Sequence, residues 1–370
     1  MTDGLLPVDR LHHLTVVVKD LETSARNYAA LLGIDRWEVT RLSSDRLQDT
    51  GAFGYEATYT YAVATGSTPT GVTFRLVQPT GGLSTFAEFL VTRGEGIHGL
   101  CLSVLDREGW AAAAAGLERA GVTVAQAATV DGAARHYHLD TRRALGGFYL
   151  EVVVPLRPGA VPSVDERWDL AGAVEPPPGV EPLHREARVW HLGVVVEDLM
   201  ARLPAYARVL GLSEWSFLHF RHEPGSLERS TLDGEEVEPA FWLATAGLPD
   251  LGFEVIQPTV EPTHYRRAFL DRIGEGVHHL LVLPALPEAS WSGLRAAMDS
   301  VGVPVAMSGS VRSGSAEFFY LDTRSRLGGF LLEAICRRGR PEVRSRPDFR
   351  FDFSRPVAPG GGSPKARREG

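Results

Sequence analysis

Two histidines and two carboxylates in the second half of the chain have the types and settings of metal ligands. His191 opens the apolar run "HLGVVVEDL", and His279 stands in "GEGVHHLLVLP". Glu254 lies in "GFEVIQPT" and Glu333 in "GFLLEAI", each among apolar neighbours. Successive side chains of a strand point to opposite faces. His191, Gly193 and Val195 therefore share one face, and Leu192, Val194 and Val196 share the other. The second, greasy set is expected to pack on a helix, and the first to face a concave interior. A buried carboxylate without a partner is costly, so Glu254 and Glu333 each need one. Two imidazoles with two carboxylates suit a divalent metal of borderline softness: Zn, Ni, Co, Mn or Fe(II). Ligands drawn from separate strands leave positions open for water or substrate, so the set fits catalysis as well as structure.

These residues sit in a chain that is written twice. "LHHLTVVVKDLETSARNYAALLGI" matches "VWHLGVVVEDLMARLPAYARVLGL", "GEGIHGLCLSV" matches "GEGVHHLLVLP", and "YHLDTRRALGGFYLEVV" matches "FYLDTRSRLGGFLLEAI". The pairs His13/His191, Arg75/Glu254, Gly99/His279 and Glu151/Glu333 are 178, 179, 180 and 182 residues apart. Such a slow drift means tandem duplication with small loop changes, at a period far too long for a solenoid. Within each half the periodicity predicts strand, helix, then three strands, twice over. The first helix has an Asp start and a Gly stop.

The expected domains are residues 1–155 and 187–337. The proline-rich stretch 156–186 has little apolar periodicity and reads as a linker. Residues 338–370 are basic and rich in Pro and Gly, and read as a solvated tail or strap, with 349–353 able to dock on a surface. The net charge is -8 over 370 residues, which gives no reason to expect nucleic acid. No apolar run approaches the roughly 18–20 residues that span a bilayer, so no membrane partner is expected. The start of the chain lacks the pattern of a secretory leader, and two cysteines form neither a CxxC pair nor a disulfide framework. A reducing cytoplasm is the expected location.

The two "H-L-x-V-V-V-x-D-L" strands, the two "Q-P" strand ends, the paired "GEG" segments and the two "LDT-R--LGGF-LE" endings resemble the vicinal oxygen chelate superfamily. That group includes glyoxalase I, methylmalonyl-CoA epimerase and extradiol dioxygenases. The resemblance covers roughly residues 9–155 and 187–337. It implies an α+β fold of two tandem domains, each made of two βαβββ modules that curve around one metal. Carried over by position, it gives the second half a full ligand set: His191, Glu254, His279 and Glu333. His279 rather than His278 takes the ligand place, with His278 facing away, although either ring serves if the strand shifts. The first half supplies His13, Arg75, Gly99 and Glu151. Two of four ligands are gone there. Arg75 is expected either to replace the metal and pair with Glu151 or to extend to solvent.

The resemblance further implies a small carbonyl substrate and one divalent metal that stabilises an enolate. Glu254 as a fourth ligand favours an epimerase or isomerase acting on an α-proton. The tandem layout resembles enzymes that epimerise keto-cyclitols such as 2-epi-5-epi-valiolone; an acyl-CoA is the other substrate class. Candidate proton carriers are Glu333 or one of Glu235, Glu236 and Glu238; His222 and His264, in expected loops, are weaker. Trp215, Trp242 and Phe253 are expected in the core. An Fe(II) dioxygenase of the 4-hydroxyphenylpyruvate dioxygenase type, with His191, His279 and Glu333 as its triad, is the alternative. A protein that sequesters a small ligand without turnover is the third reading. The duplication allows a monomer, and a homodimer stays open.

Overall fold

The computed structural model describes residues 4–311, 313–338 and 346–354. Each half of the chain builds one mixed sheet of eleven strands in the same order, so the fold is α+β with two tandem domains, as expected. Four strands at the middle of each sheet position the chemistry. In the C-terminal domain their order is Gly252–Val260, His191–Val195, Gly276–Pro287 and Leu331–Arg337. The first pair is parallel, the second antiparallel and the third parallel. The N-terminal domain repeats this order with Thr73–Gly82, His13–Val17, Gly96–Val104 and Tyr149–Pro155.

The alternation read from the sequence sorts the side chains as expected. Leu192, Val194 and Val196 join the core shared with the helices, as do Phe253 and Val255. Val195 and Ile256 point to the other face, into a separate cluster with Phe241 and Tyr265. The helices Leu21–Leu32 and Leu199–Leu210 start where Asp20 and Asp198 accept backbone N–H bonds, which satisfies otherwise orphaned donors.

The βαβββ pattern needs one addition. In each domain a short hairpin leaves the first module and pairs with the second. Leu47–Ala52 lies beside Val124–Val130, and Leu227–Leu232 beside Val305–Val311.

The stretch between the domains is not a bare linker. Glu166–Asp169 pairs antiparallel with Arg36–Leu42 and extends the N-terminal sheet. The helix Glu181–Glu186 packs on the helix Leu21–Leu32. The tail behaves the same way: Phe349–Asp352 pairs antiparallel with Glu214–Phe220, and Phe349 stacks on Phe217 at 4.5 Å. Asp165 and Asp348 each accept a backbone N–H from the strand they join, Arg41 and His219, both at 2.6 Å. Both segments are thus one repeated element, a trailing edge strand. The remainder of the tail, 339–345 and 355–370, lies outside the described residues.

The halves pack reciprocally. Tyr28 Oη donates to the Leu327 carbonyl at 2.7 Å, and Tyr206 Oη to the Leu145 carbonyl at 2.6 Å. The repeated "LGGF" makes this possible. A Cβ on Gly147 would lie 1.9 Å from the Glu275 carbonyl oxygen, and one on Gly329 at 1.9 Å from that of Glu95. Only glycine permits so close an approach at these positive φ angles. Both cysteines are buried and free. Among the described residues no helix is long and apolar enough to cross a membrane.

Candidate metal centre

Strand register brings His191, Glu254, His279 and Glu333 together in two rows. One row reads Glu254, Gly193, His279 across neighbouring strands. The other, two residues along, reads His191, Leu281, Glu333. Donor atoms from all four lie within 4.8 Å of one another. His191 Nε2 is 3.4 Å from His279 Nε2 and 3.2 Å from Glu333 Oε2. His279 Nε2 is 3.3 Å from Glu333 Oε2, while Glu254 stands 3.6 and 3.7 Å from the two imidazoles. Metal–ligand bonds of about 2.1 Å separate neighbouring donors by about 3.0 Å in an octahedron and about 3.4 Å in a tetrahedron. The spacing and the donor chemistry fit one divalent cation with four protein ligands.

Gly193 is what lets His279 enter. A Cβ there would lie 1.9 Å from His279 Cε1. The glycine thus leaves the space that the imidazole fills.

Burial opposes charge on His191, Glu254 and Glu333. At His191 it is outweighed by the Glu254 and Glu333 carboxylates, and the pKa is raised. Burial also works to raise Glu333, but hydrogen bonds from His191 and His279 hold that carboxyl low. Glu254 is pushed up by burial and by the Glu333 charge, against the pull of His191.

The same positions in the N-terminal domain form an internal ion pair. Arg75 Nη1 donates to Glu151 Oε1 at 2.9 Å, and His13 Nε2 lies 2.8 Å from Oε2. His136 Nδ1, which the sequence reading did not include, lies 2.7 Å from Oε1. Burial works to raise the Glu151 pKa, yet Arg75 and the histidines hold it well below the usual carboxylate range. Thr15 stands where Gly193 is, opposite Gly99 instead of a histidine.

The glutamates after Asp233 do not reach this site. Glu235 and Glu236 are exposed on a two-residue strand, and neither lines the cavity over the donor set. The Glu238 side chain is 80% exposed and faces His222 at 3.6 Å. Two-residue hairpin turns carry their polar side chains to solvent, which is why "DGEEVE" points away. Trp215 and Phe253 are core residues, and Trp242 stacks on His219 at 4.1 Å.

His264 was undervalued as a loop residue. It is buried at the start of the helical turn Tyr265–Leu270, with Nδ1 2.8 Å from His278 Nε2. The repeat has Thr85 there, because Ser84 and Thr263 open the two turns alike, each accepting a backbone N–H from three residues on.

A cavity of about 490 Å³ opens above the carboxylates, with Glu254 and Glu333 on its wall. Leu218, Phe241, Leu243 and Phe318 make much of the remainder. The hydroxyls of Tyr265 and Tyr320, also on the wall, bond each other at 2.8 Å.

Residues 12–139 match the family model described as the Glyoxalase/Bleomycin resistance protein/Dioxygenase superfamily. A mutant of 4-hydroxymandelate synthase from Streptomyces coelicolor shares the fold, with a TM-score of 0.56 at 15% identity over 92% of this chain and 95% of that one. The Mn(II)-bound glyoxalase from Novosphingobium aromaticivorans aligns at a TM-score of 0.40 and 14% identity, over 94% and 85% of the two chains. Methylmalonyl-CoA epimerase from Mycobacterium tuberculosis aligns at 0.31 and 25% identity, over 42% of this chain and 92% of its own. No curated protein sequence matches the chain.

Proposed function

We propose that the chain is a tandem member of this superfamily whose C-terminal domain binds one divalent transition metal through His191, Glu254, His279 and Glu333. On this reading it is an epimerase or isomerase that moves a proton at a carbon next to a carbonyl. The observation that carries the reading is the convergence of the four donors at the wall of a cavity. A divalent metal held by these four side chains would supply Lewis-acid chemistry to a substrate carbonyl. The chain's own groups do the remainder. Glu333, close to both imidazoles, anchors the set. Glu254 stands farther from them and burial keeps its proton affinity up, so it is the better carrier for the α-proton than Glu333.

The wall also bears on substrate class. Leu218, Phe241, Leu243 and Phe318 suit a carbonyl compound with an apolar body, while Ser216, Thr245, Tyr265 and Tyr320 offer partners to hydroxyl or carbonyl oxygens on it. Arg337 and the exposed Arg350 line the same cavity and suit an anionic group on that substrate. The reciprocal packing of the halves supports the single chain as the working unit.

The second reading is an Fe(II) dioxygenase. It is favoured by the looser placement of Glu254, which leaves His191, His279 and Glu333 as a two-histidine, one-carboxylate set. One experiment separates the two. Metal-loaded protein is incubated with anionic aryl or alkyl ketones in D₂O, with and without oxygen. Deuterium entering the α-carbon without oxygen supports the isomerase. Oxygen uptake coupled to ketone loss, with no exchange, supports the dioxygenase.

A further inference from the structure

The ring of His279 continues into two more histidines. Its Nδ1 lies 3.1 Å from Nδ1 of His278, and His278 Nε2 lies 2.8 Å from Nδ1 of His264. His278 and His279 are fully buried, and His264 is 2% exposed. At the far end, His264 Nε2 is buried with no hydrogen-bond partner among the described residues.

We propose that His278 and His264 are positioning residues for His279. They form a three-ring relay whose hydrogen bonds reverse direction when a metal occupies His279 Nε2. The proposal rests on the metal reading above.

A neutral imidazole carries one N–H and one lone pair. His278 and His264 are both buried, and an apolar surrounding favours that neutral form. A metal on His279 Nε2 leaves its proton on Nδ1, which donates to His278 Nδ1. His278 must then hold its proton on Nε2 and donate it to His264 Nδ1. His264 in turn holds its proton on Nε2. Without metal, the His279 proton can sit on Nε2, where Glu333 Oε2 accepts it at 3.3 Å. His264 Nδ1 then donates to His278 Nε2, and His278 Nδ1 donates to His279 Nδ1. Each ring keeps one proton in both states: solvent takes the one released at His279 Nε2 as the metal binds, and solvent supplies the one that arrives at His264 Nε2. Fixing the second nitrogen of a ligand imidazole sets its tautomer and orientation, which is how such outer partners strengthen metal binding.

The N-terminal domain is a built-in control. His98 occupies the position of His278 and is just as buried, but Gly99 stands beside it and Thr85 replaces His264. Both nitrogens of His98 lack a partner. The relay accompanies the donor set and is missing where the set is degenerate. A purely packing role is the competing account, since His278 sits between the rings of Tyr265 and Phe269, both at 5.1 Å.

The test uses the full chain labelled with ¹⁵N-histidine, with and without Zn(II). Nitrogen shifts are expected to move the His264 proton from Nδ1 to Nε2 on metal addition. His278→Phe keeps an aromatic ring in place and is expected to weaken Zn(II) binding about 10–100-fold against a competing chelator. His264→Phe is expected to weaken it less than tenfold, and His98→Phe not at all. Melting of the metal-free variants reports any loss of fold. A His264 tautomer indifferent to Zn(II), or unchanged Zn(II) affinity in His278→Phe, overturns the relay. Should His278→Phe fail to fold, the His264 tautomer and His264→Phe decide. A wild-type chain that binds no Zn(II) defeats the four-ligand reading itself, and the relay falls with it.

Discussion

The two domains put the same first histidine and the same last glutamate on matching strands, then fill the space between them differently. In the N-terminal domain one carboxylate, Glu151, meets one fixed cation, Arg75. In the C-terminal domain two carboxylates, Glu254 and Glu333, meet two imidazoles and, among the described residues, pair with no arginine or lysine. One guanidinium balances one carboxylate, whereas two carboxylates call for a divalent ion. The steric difference runs in parallel. Gly193 admits the His279 ring, while Thr15 faces Gly99. Charge and space changed together, so each centre is self-consistent and a half-conversion of either is expected to fail.

The sharpest break of this comparison is Gly193→Thr, which imports the N-terminal residue. Its Cβ cannot coexist with the His279 ring at 1.9 Å. Metal content is expected to fall from about one per chain to near zero, with about 3 kcal/mol lost from overpacking; elemental analysis and thermal melting read both. Undiminished metal would sink the steric argument. Glu254→Arg imports the other half of the difference. It is expected to cost over about 100-fold in metal affinity, because a cation then occupies the site. The metal-free variant should melt no lower than metal-free wild type, since the arginine now balances Glu333.

Effects in the N-terminal domain are smaller and leave metal binding alone. Arg75→Met strips Glu151 of its cation and is expected to cost about 3 kcal/mol in urea unfolding, with metal stoichiometry unchanged. The pH dependence follows from the depressed Glu151 pKa. Its stabilisation is fully present above the unfolded carboxyl value near 4.5 and is lost as pH falls toward the lower folded value. Glu151→Gln should remove that share of the acid-side slope; an unaltered slope would count against the buried ion pair. The smallest effect belongs to Glu238→Gln. With the side chain 80% exposed, it is expected to change stability by no more than about 0.5 kcal/mol and to leave α-proton exchange intact.

Much of this was legible because strands and helices write their periods into the sequence. The alternation in "HLGVVVEDL" correctly separates the helix-packed residues from those facing the interior. Internal duplication supplied the control that a single domain lacks, and flagged Arg75 and Gly99 as departures. Segments with weak patterning were misjudged. The strand Glu166–Asp169 is short and lies at a sheet edge, where one neighbour and much solvent leave little apolar alternation to read. Phe349–Asp352 is also a short edge strand, and its two phenylalanines were enough to mark the stretch that docks.

Repetition by itself marked the tandem duplication, and residue type and strand period singled out His191, Glu254, His279 and Glu333 as candidates, because these depend on local period and on position within a repeat; the fold class came with the family resemblance. The tertiary structure decided which side chains meet across distant segments. It joined His136 to Glu151, linked His264 to His278, turned Glu235, Glu236 and Glu238 toward solvent, and set the space beside Gly193. Those outcomes depend on strand register and hairpin direction, and a shift of one residue would send each side chain to the opposite face.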